Sequence, residues 1–134
     1  MTWWLCIAGT GERPYTEADR KGRPPRHRFP RRPRIERGDR RVIYAAGSAR
    51  EYGEGRVFAL EEALSDEPEP TGHERWSWEI RTRRLVGVPS LAVAPTLRDI
   101  GVSTRSIGRH SHIRLTESQG RLAEELFAED ARDA

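Results

Sequence analysis

Cysteine and lysine are almost missing from this chain of 134 residues: each occurs once, as Cys6 and Lys21. A lone thiol excludes an internal disulfide. Cys6 lies within the apolar run Trp3-Trp4-Leu5-Cys6-Ile7-Ala8, where it reads as a small buried side chain in a reducing compartment. A reactive thiol would need access and a cationic neighbour, so the nucleophile reading is the weaker one. Long apolar runs are missing too. That run is too short to span a bilayer, no basic stretch precedes it and no small-residue cleavage signal follows, so neither secretion nor membrane insertion is expected and cytoplasm is the default location. Internal repeats and coiled-coil heptads are likewise missing. What remains is a length suited to one domain, expected over residues 1–134, that removes roughly two-thirds of its unfolded surface from water without covalent staples.

Net charge is only +3, but its distribution is uneven. Twelve Lys or Arg residues stand between Arg13 and Arg41 against Glu17, Asp19, Glu36 and Asp39, whereas six acids stand against Arg121 and Arg132 from Glu117 to the end. This predicts a cationic face and an anionic terminal helix. Arginine in place of lysine fits two readings: the codon bias of a GC-rich genome, or phosphate binding by its fork of donors.

Turn signals divide the chain. The opening apolar run ends at Gly9-Thr10-Gly11 and reads as a buried first strand. Residues 13–33 hold five prolines, many arginines and no apolar periodicity, so they read as a basic loop or a segment that orders on contact with a partner. Strands are expected over Arg41–Ala46 and Gly55–Leu60, forming an antiparallel pair joined by a loop. Residues 65–72 break the chain. Beyond them Trp76, Trp78, Ile80 and Thr82 alternate with polar neighbours, which places the two indoles on one face of a strand. Thr96 with Asp99, then Gly101, marks a short capped helix, and Thr116 with Gln119 caps a final helix over 116–128 whose Leu122, Ala123, Leu126 and Phe127 share a face.

In their order, four stretches resemble the EVE branch of the PUA-like superfamily, related to YTH and ASCH domains. They are Trp3 to Ala8, Arg37-Gly38-Asp39-Arg40-Arg41-Val42-Ile43-Tyr44, Gly55-Arg56-Val57-Phe58-Ala59, and Arg109-His110-Ser111-His112-Ile113-Arg114-Leu115-Thr116. The resemblance covers most of the chain but leaves the basic loop unmatched. Where EVE sequences carry a Lys-Ser-Glu-Pro-like stretch, this one has Gly9 to Pro14, similar at Glu12 and Pro14 only. The resemblance implies an α+β fold: a PUA-like barrel of about five to six mostly antiparallel strands, with short helices and a C-terminal helix packed on it. It also implies nucleic-acid binding, with a modified base read in a pocket beside the barrel, no cofactor and no catalytic residue.

Such a job needs an aromatic surface for a base, polar groups for its edge and cations for phosphates. Gly9 and Thr10 stand at the end of the first strand, and Ala46, Gly47 and Ser48 at the matching end of the second. Small residues there let a planar ligand approach backbone N–H groups, or simply make tight turns. Trp76 and Trp78 are base-stacking candidates, with core packing the stronger reading; Tyr44 is open between the two. Arg105, Arg109, His110, Ser111 and His112 form the last cluster, as donors at the pocket edge or as solvated residues. His110 and His112, with only His27 and His73 besides, give no recognisable zinc spacing. The loop arginines Arg20 to Arg34 are expected to contact phosphates. Two alternatives remain. One is an ASCH-like hydrolase of a modified nucleoside, weakened because Lys21 lies in the Pro/Arg loop. The other is a protein-interaction module whose basic loop binds an acidic partner.

Overall fold

A computed structural model describes residues 1–108 and 110–133, with the side chains of the last helix described as far as Asp130. Among the described residues there are seven strands: β1 (Trp3–Ala8), β2 (Arg26–Phe29), β3 (Arg40–Ala45), β4 (Val57–Ala63), β5 (Glu69–Pro70), β6 (Trp78–Gly87) and β7 (His112–Leu115). Three α-helices join them: α1 (Glu17–Lys21), α2 (Ser48–Tyr52) and α3 (Glu117–Asp133). Short 3-10 turns fill the connection from β6 to β7. Hydrogen bonding runs in the order β2-β6-β4-β3-β1-β7, with the two-residue β5 against β6. The sheet curls into a half-barrel carrying the C-terminal helix, the α+β architecture expected and consistent with a PUA-like barrel. Among the described residues all strand pairings are antiparallel except that of β1 beside β3. In that pair β1 is apolar throughout and buried along nearly its whole length, as a strand covered on both faces requires. No helix among the described residues is long and apolar enough to cross a membrane.

The register sorts side chains onto two faces. Trp3, Leu5, Val42 and Leu60 share the outer face, on which α3 lies; Trp4, Cys6, Arg41 and Glu61 share the inner face. On α3 the contact stripe is Gly120, Ala123 and Phe127, at helical spacing; Leu122, expected in that stripe, is exposed at its edge. Thr116 and Gln119 close the expected capping box, each bonding the other's backbone N–H. Thr96 and Asp99 do the same ahead of the 3-10 turn Arg98–Ile100, which ends on Gly101 at φ 76°. Burying each of Leu5, Phe58 and Phe127 contributes roughly 1.5–3 kcal/mol.

The basic segment 13–33 is not one loop. Thr16 and Asp19 cap α1 reciprocally, and β2 pairs with β6 from Arg26↔Arg81 to Phe29↔Trp78. Apolar periodicity was too short to show this: β2 contributes only His27 and Phe29 inward, while Arg26 and Arg28 point outward to Glu79.

Inside the half-barrel the core is partly ionic. Arg41 is fully buried; it donates to the Glu61 carboxylate at 3.0 Å, to His27 Nδ1 and to Cys6 Sγ at 3.4 Å. Arg23 donates to both Glu61 oxygens and to the same His27 nitrogen. Guanidinium groups only donate, so His27 Nδ1 is an acceptor and the proton of the neutral ring lies on Nε2. Burial, then the charges of Arg41 and Arg23, hold His27 well below its usual range. Burial pushes Glu61 up, yet the bonds and charges of Arg23, Arg41 and Arg84 outweigh it and the carboxyl ends below its usual value. His27 stacks on Phe29, whose edge meets His112, which in turn lies beside Trp4. This chain of rings bridges the two edge strands β2 and β7 where backbone pairing stops.

Candidate functional site

The turns after β1 and β3 are laced together. Gly9, at φ 83°, begins the first, in which Thr10 and Arg13 exchange bonds: Thr10 N–H donates to the Arg13 carbonyl, and Arg13 N–H to Thr10 Oγ1. The chain then returns so that Tyr15 N–H donates to the Ala46 carbonyl, while Ala46 N–H donates to that of Ala8. Gly47, at φ 81°, lies against Pro14, where an added Cβ would come within 2.6 Å of the proline Cβ. Glycine is required there by both conformation and space.

Between these turns opens a cleft of about 550 Å³. Ile7, Gly9, Thr10 and Gly11 form one side, and Tyr44, Ala46 and Gly47 the next. Arg75 and Trp76 line it too, with Arg28 and Pro30, as do Ile107 and Gly108 with His110 and Ser111. Trp76 is half-buried and precedes β6, so it does not share a strand face with Trp78. It is fixed by its turn: Trp76 N–H donates to His73 Nδ1, and Thr71 Oγ1 donates to the Trp76 carbonyl. A neighbouring hollow of about 490 Å³ shares Ile7, Gly9, Arg28 and Trp76 and reaches Arg23 and His27 at its floor.

Of the residues singled out from sequence, Gly9, Thr10, Tyr44, Ala46, Gly47, Trp76, His110 and Ser111 meet at this cleft. Tyr44 is mostly buried; burial raises its phenol and a bond with Ser48 opposes the shift. Four others lie elsewhere. Ser48 is buried, donating to the Ala45 carbonyl and accepting from Arg56 N–H, which makes it a turn residue. Trp78 lies opposite Phe29 in the strand register and under the Arg32 guanidinium, 5.1 Å from its ring. Arg105 is exposed on the 3-10 turn Thr104–Ser106 and does not line the cleft. His112 sits between Trp4 and Phe29, where burial and then the Arg41 charge lower it. Arg109 lies outside the described residues. Sequence reasoning missed Pro30, Arg75 and Ile107, and named Arg28 only as one of the loop arginines; the alternation Arg26-His27-Arg28-Phe29, basic out and ring in, was the signal that sets it apart.

The loop arginines divide sharply. Arg20 is buried and clamps the Val88 and Pro89 carbonyls and Glu17; Arg23 belongs to the inner network; Arg26 and Arg28 share Glu79. Arg20 and Arg23 are therefore structural, whereas Arg26 and Arg28 are tied to a carboxylate at the surface. Among the described residues no group of three or more His, Cys, Asp or Glu is placed to hold a metal ion. As an arrangement, the cleft offers an indole wall, backbone amides and hydroxyls at close quarters, and cations on its rim.

No protein-family model matches the chain, and no curated protein matches it. Among solved structures it is similar to a hypothetical protein from Leishmania major, with a TM-score of 0.61 and 12% identity over 98% of each chain. It is also similar to an NMR structure of a protein from Rhodopseudomonas palustris, with a TM-score of 0.54 and 13% identity over 96% of this chain and 94% of that one. At such identities the likeness is one of fold.

Proposed function

We propose that this domain binds nucleic acid and takes a single modified base into the cleft between the ends of β1 and β3. The observation that carries the reading is that Trp76, half-buried and with the Arg75 guanidinium 5.2 Å from its ring, lines the same cleft as the two laced glycine turns, in a space large enough for a base. An indole face stacks any base, which supplies affinity without choosing among them. Choice then falls to polar groups at the base's edge: the amides around Gly9 and Gly47, and the hydroxyls of Thr10 and Ser111. Arg75 and His110 at the rim suit the flanking phosphates. The ordered resemblance to EVE domains supports the same reading. Its test is binding to single- and double-stranded DNA and RNA bearing methylated or hydroxymethylated bases, titrated against salt. A preference for modified over plain strands at moderate salt is expected; equal binding overturns it.

A further inference from the structure

A second feature leads out of the cleft. The sheet's two ends, β2 and β7, are joined by side chains alone, and the chain leaving β2 bends at residues 30 and 31 and continues without regular structure through residue 34 alongside β7. Between that segment and β7 lies a groove of about 1080 Å³ that shares Pro30, His110 and Ser111 with the cleft. Arg31, Arg32 and Arg34 line one bank and Arg114 the other.

Those four arginines differ from most of the rest. Eleven other described arginines reach a carboxylate, among them Arg20 with Glu17, Arg23 and Arg41 with Glu61, Arg28 with Glu79, Arg40 with Glu124 and Arg83 with Glu62, whereas Arg13, Arg50, Arg56, Arg75, Arg81 and Arg105, which do not, lie outside this groove. Arg31, Arg32, Arg34 and Arg114 are exposed, and none has a carboxylate within 4.0 Å among those residues. Two are nonetheless held in place: Arg32 over the Trp78 ring at 5.1 Å and Arg114 over the Trp4 ring at 5.6 Å. A guanidinium lying on an indole is ordered by its face and keeps its N–H edge free, which is the edge that binds phosphate. The cationic stretch is also bounded. Past Arg34 the surface meets Glu36, Asp66 and Glu67, with Arg37 paired to Asp66.

We propose that this groove is the track for the sugar-phosphate backbone of a single strand whose base occupies the cleft, with Arg31, Arg32, Arg34 and Arg114 as its phosphate contacts. The proposal rests on the base-binding reading for its starting point. The track is short, because acids close it, so it serves the few nucleotides flanking the bound base. An acidic polypeptide matches the charge but leaves the continuity between groove and cleft without use.

The experiment uses the full chain and a length series from a single nucleotide to a hexamer, with plain and methylated bases, followed by fluorescence anisotropy at several salt concentrations. It compares wild type with Arg31→Gln/Arg32→Gln/Arg34→Gln and with that variant plus Arg114→Gln. These exposed positions leave folding intact, as circular dichroism and melting will show. Wild-type affinity should rise with length. Each arginine removed should flatten the salt dependence by about 0.7 in log–log slope, as for single strands. The fourfold variant should bind the hexamer at least tenfold more weakly at low salt, yet keep any preference for the modified base. Unchanged slope and affinity in that variant, while Trp76→Ala still weakens binding, would overturn the track and leave the base site standing. A flattened slope with no base preference in wild type would do the reverse. Equal competition by poly-glutamate of matched charge, or no binding of any oligonucleotide, overturns the track.

Discussion

The indole of Trp3 lies directly on the backbone of Gly120: a Cβ added to the glycine would meet Trp3 Cδ2 at 2.1 Å and Cγ at 2.5 Å. This contact seats α3 on the outer face of β1. It is reinforced by Arg40, whose guanidinium lies over the Trp3 ring and pairs with Glu124 on the helix at 2.5 Å. A glycine inside a helix costs about 1 kcal/mol relative to alanine, so its presence needs a packing reason, and the indole supplies one.

Gly120→Ala therefore destabilises the domain although it improves helix propensity. The clash falls on the base of the indole, which cannot swing away as a flexible tip could. The expected net loss is about 1–3 kcal/mol, read as a lower denaturant midpoint at unchanged m. Trp3→Leu in the same chain makes room for the methyl group, so the double variant should lose less than the two single losses added together. Strict additivity would mean that the two positions do not touch.

Glu61 is the one carboxylate seated among Arg23 and Arg41, with Arg84 at 3.9 Å. Glu61→Gln leaves those guanidiniums buried without their counter-charge, which costs about 3–5 kcal/mol. Arg41→Met, which removes a buried cation while keeping much of its volume, should cost less than Glu61→Gln. The comparison by chemical denaturation checks whether unpaired charge, and not lost packing, dominates.

The same network sets a pH dependence. His27 is held below 6.5 in the folded state, so in the window beneath 6.5 the unfolded chain takes up a proton that the folded one refuses. Stability is full above that value and declines as pH falls from it, by up to about 1.4 kcal/mol per pH unit for each such histidine. His112, also lowered, adds in the same direction. Glu61 acts lower: its contribution is present above 4.5 and is lost as pH falls through its depressed folded value. His27→Asn keeps an acceptor for the arginines but cannot titrate. It should show a shallower decline between pH 7 and 5.5 than wild type, and an identical decline would assign the slope elsewhere.

How far the sequence carried this picture depends on the distance over which each signal acts. Periodicity and capping are local, so β1, β3, β4, the Thr96 and Thr116 caps and the buried Cys6 could all be read. The glycine turns could be read as well, and they do form one side of the cleft. What was not legible depends on long-range pairing. The parallel match of β1 with β3 leaves no local mark, and β2 is too short for its alternation to stand out among arginines. Trp76 and Trp78 looked equivalent at a spacing of two, but the turn bonded through His73 ends before the strand begins and sends them to different places. Which arginines are spent on carboxylates, and which remain free, is decided wholly by the fold.

Cys6 gives a test of the inner face that does not depend on any ligand. It is fully buried, and although the Arg41 guanidinium lies 3.4 Å from its sulfur, burial outweighs that charge and pushes the thiol up. A cationic neighbour alone does not make a reactive cysteine when the thiolate would be desolvated. Native protein should therefore resist a thiol reagent at neutral pH and react fully once denaturant unfolds it. Rapid labelling of the native state would show that the half-barrel opens.

Trp76 is the residue on which the binding reading turns. It is half-buried, with backbone bonds to His73 and Thr71 fixing its turn independently of the indole. Trp76→Ala should consequently leave the melting temperature within a few degrees of wild type while removing a base–aromatic stack. Such a stack is worth about 1–3 kcal/mol, or roughly 5- to 150-fold in affinity. Trp76→Phe should recover much of the loss, because a phenyl face still stacks. Trp78→Ala provides the contrast: that indole lies opposite Phe29 and beneath Arg32, so its loss should lower stability and should affect binding only through the arginine it supports. If the two alanine variants weakened oligonucleotide binding equally at equal stability, the cleft would not be where the base goes. If Trp76→Ala bound as wild type does, stacking in the cleft would play no part in recognition.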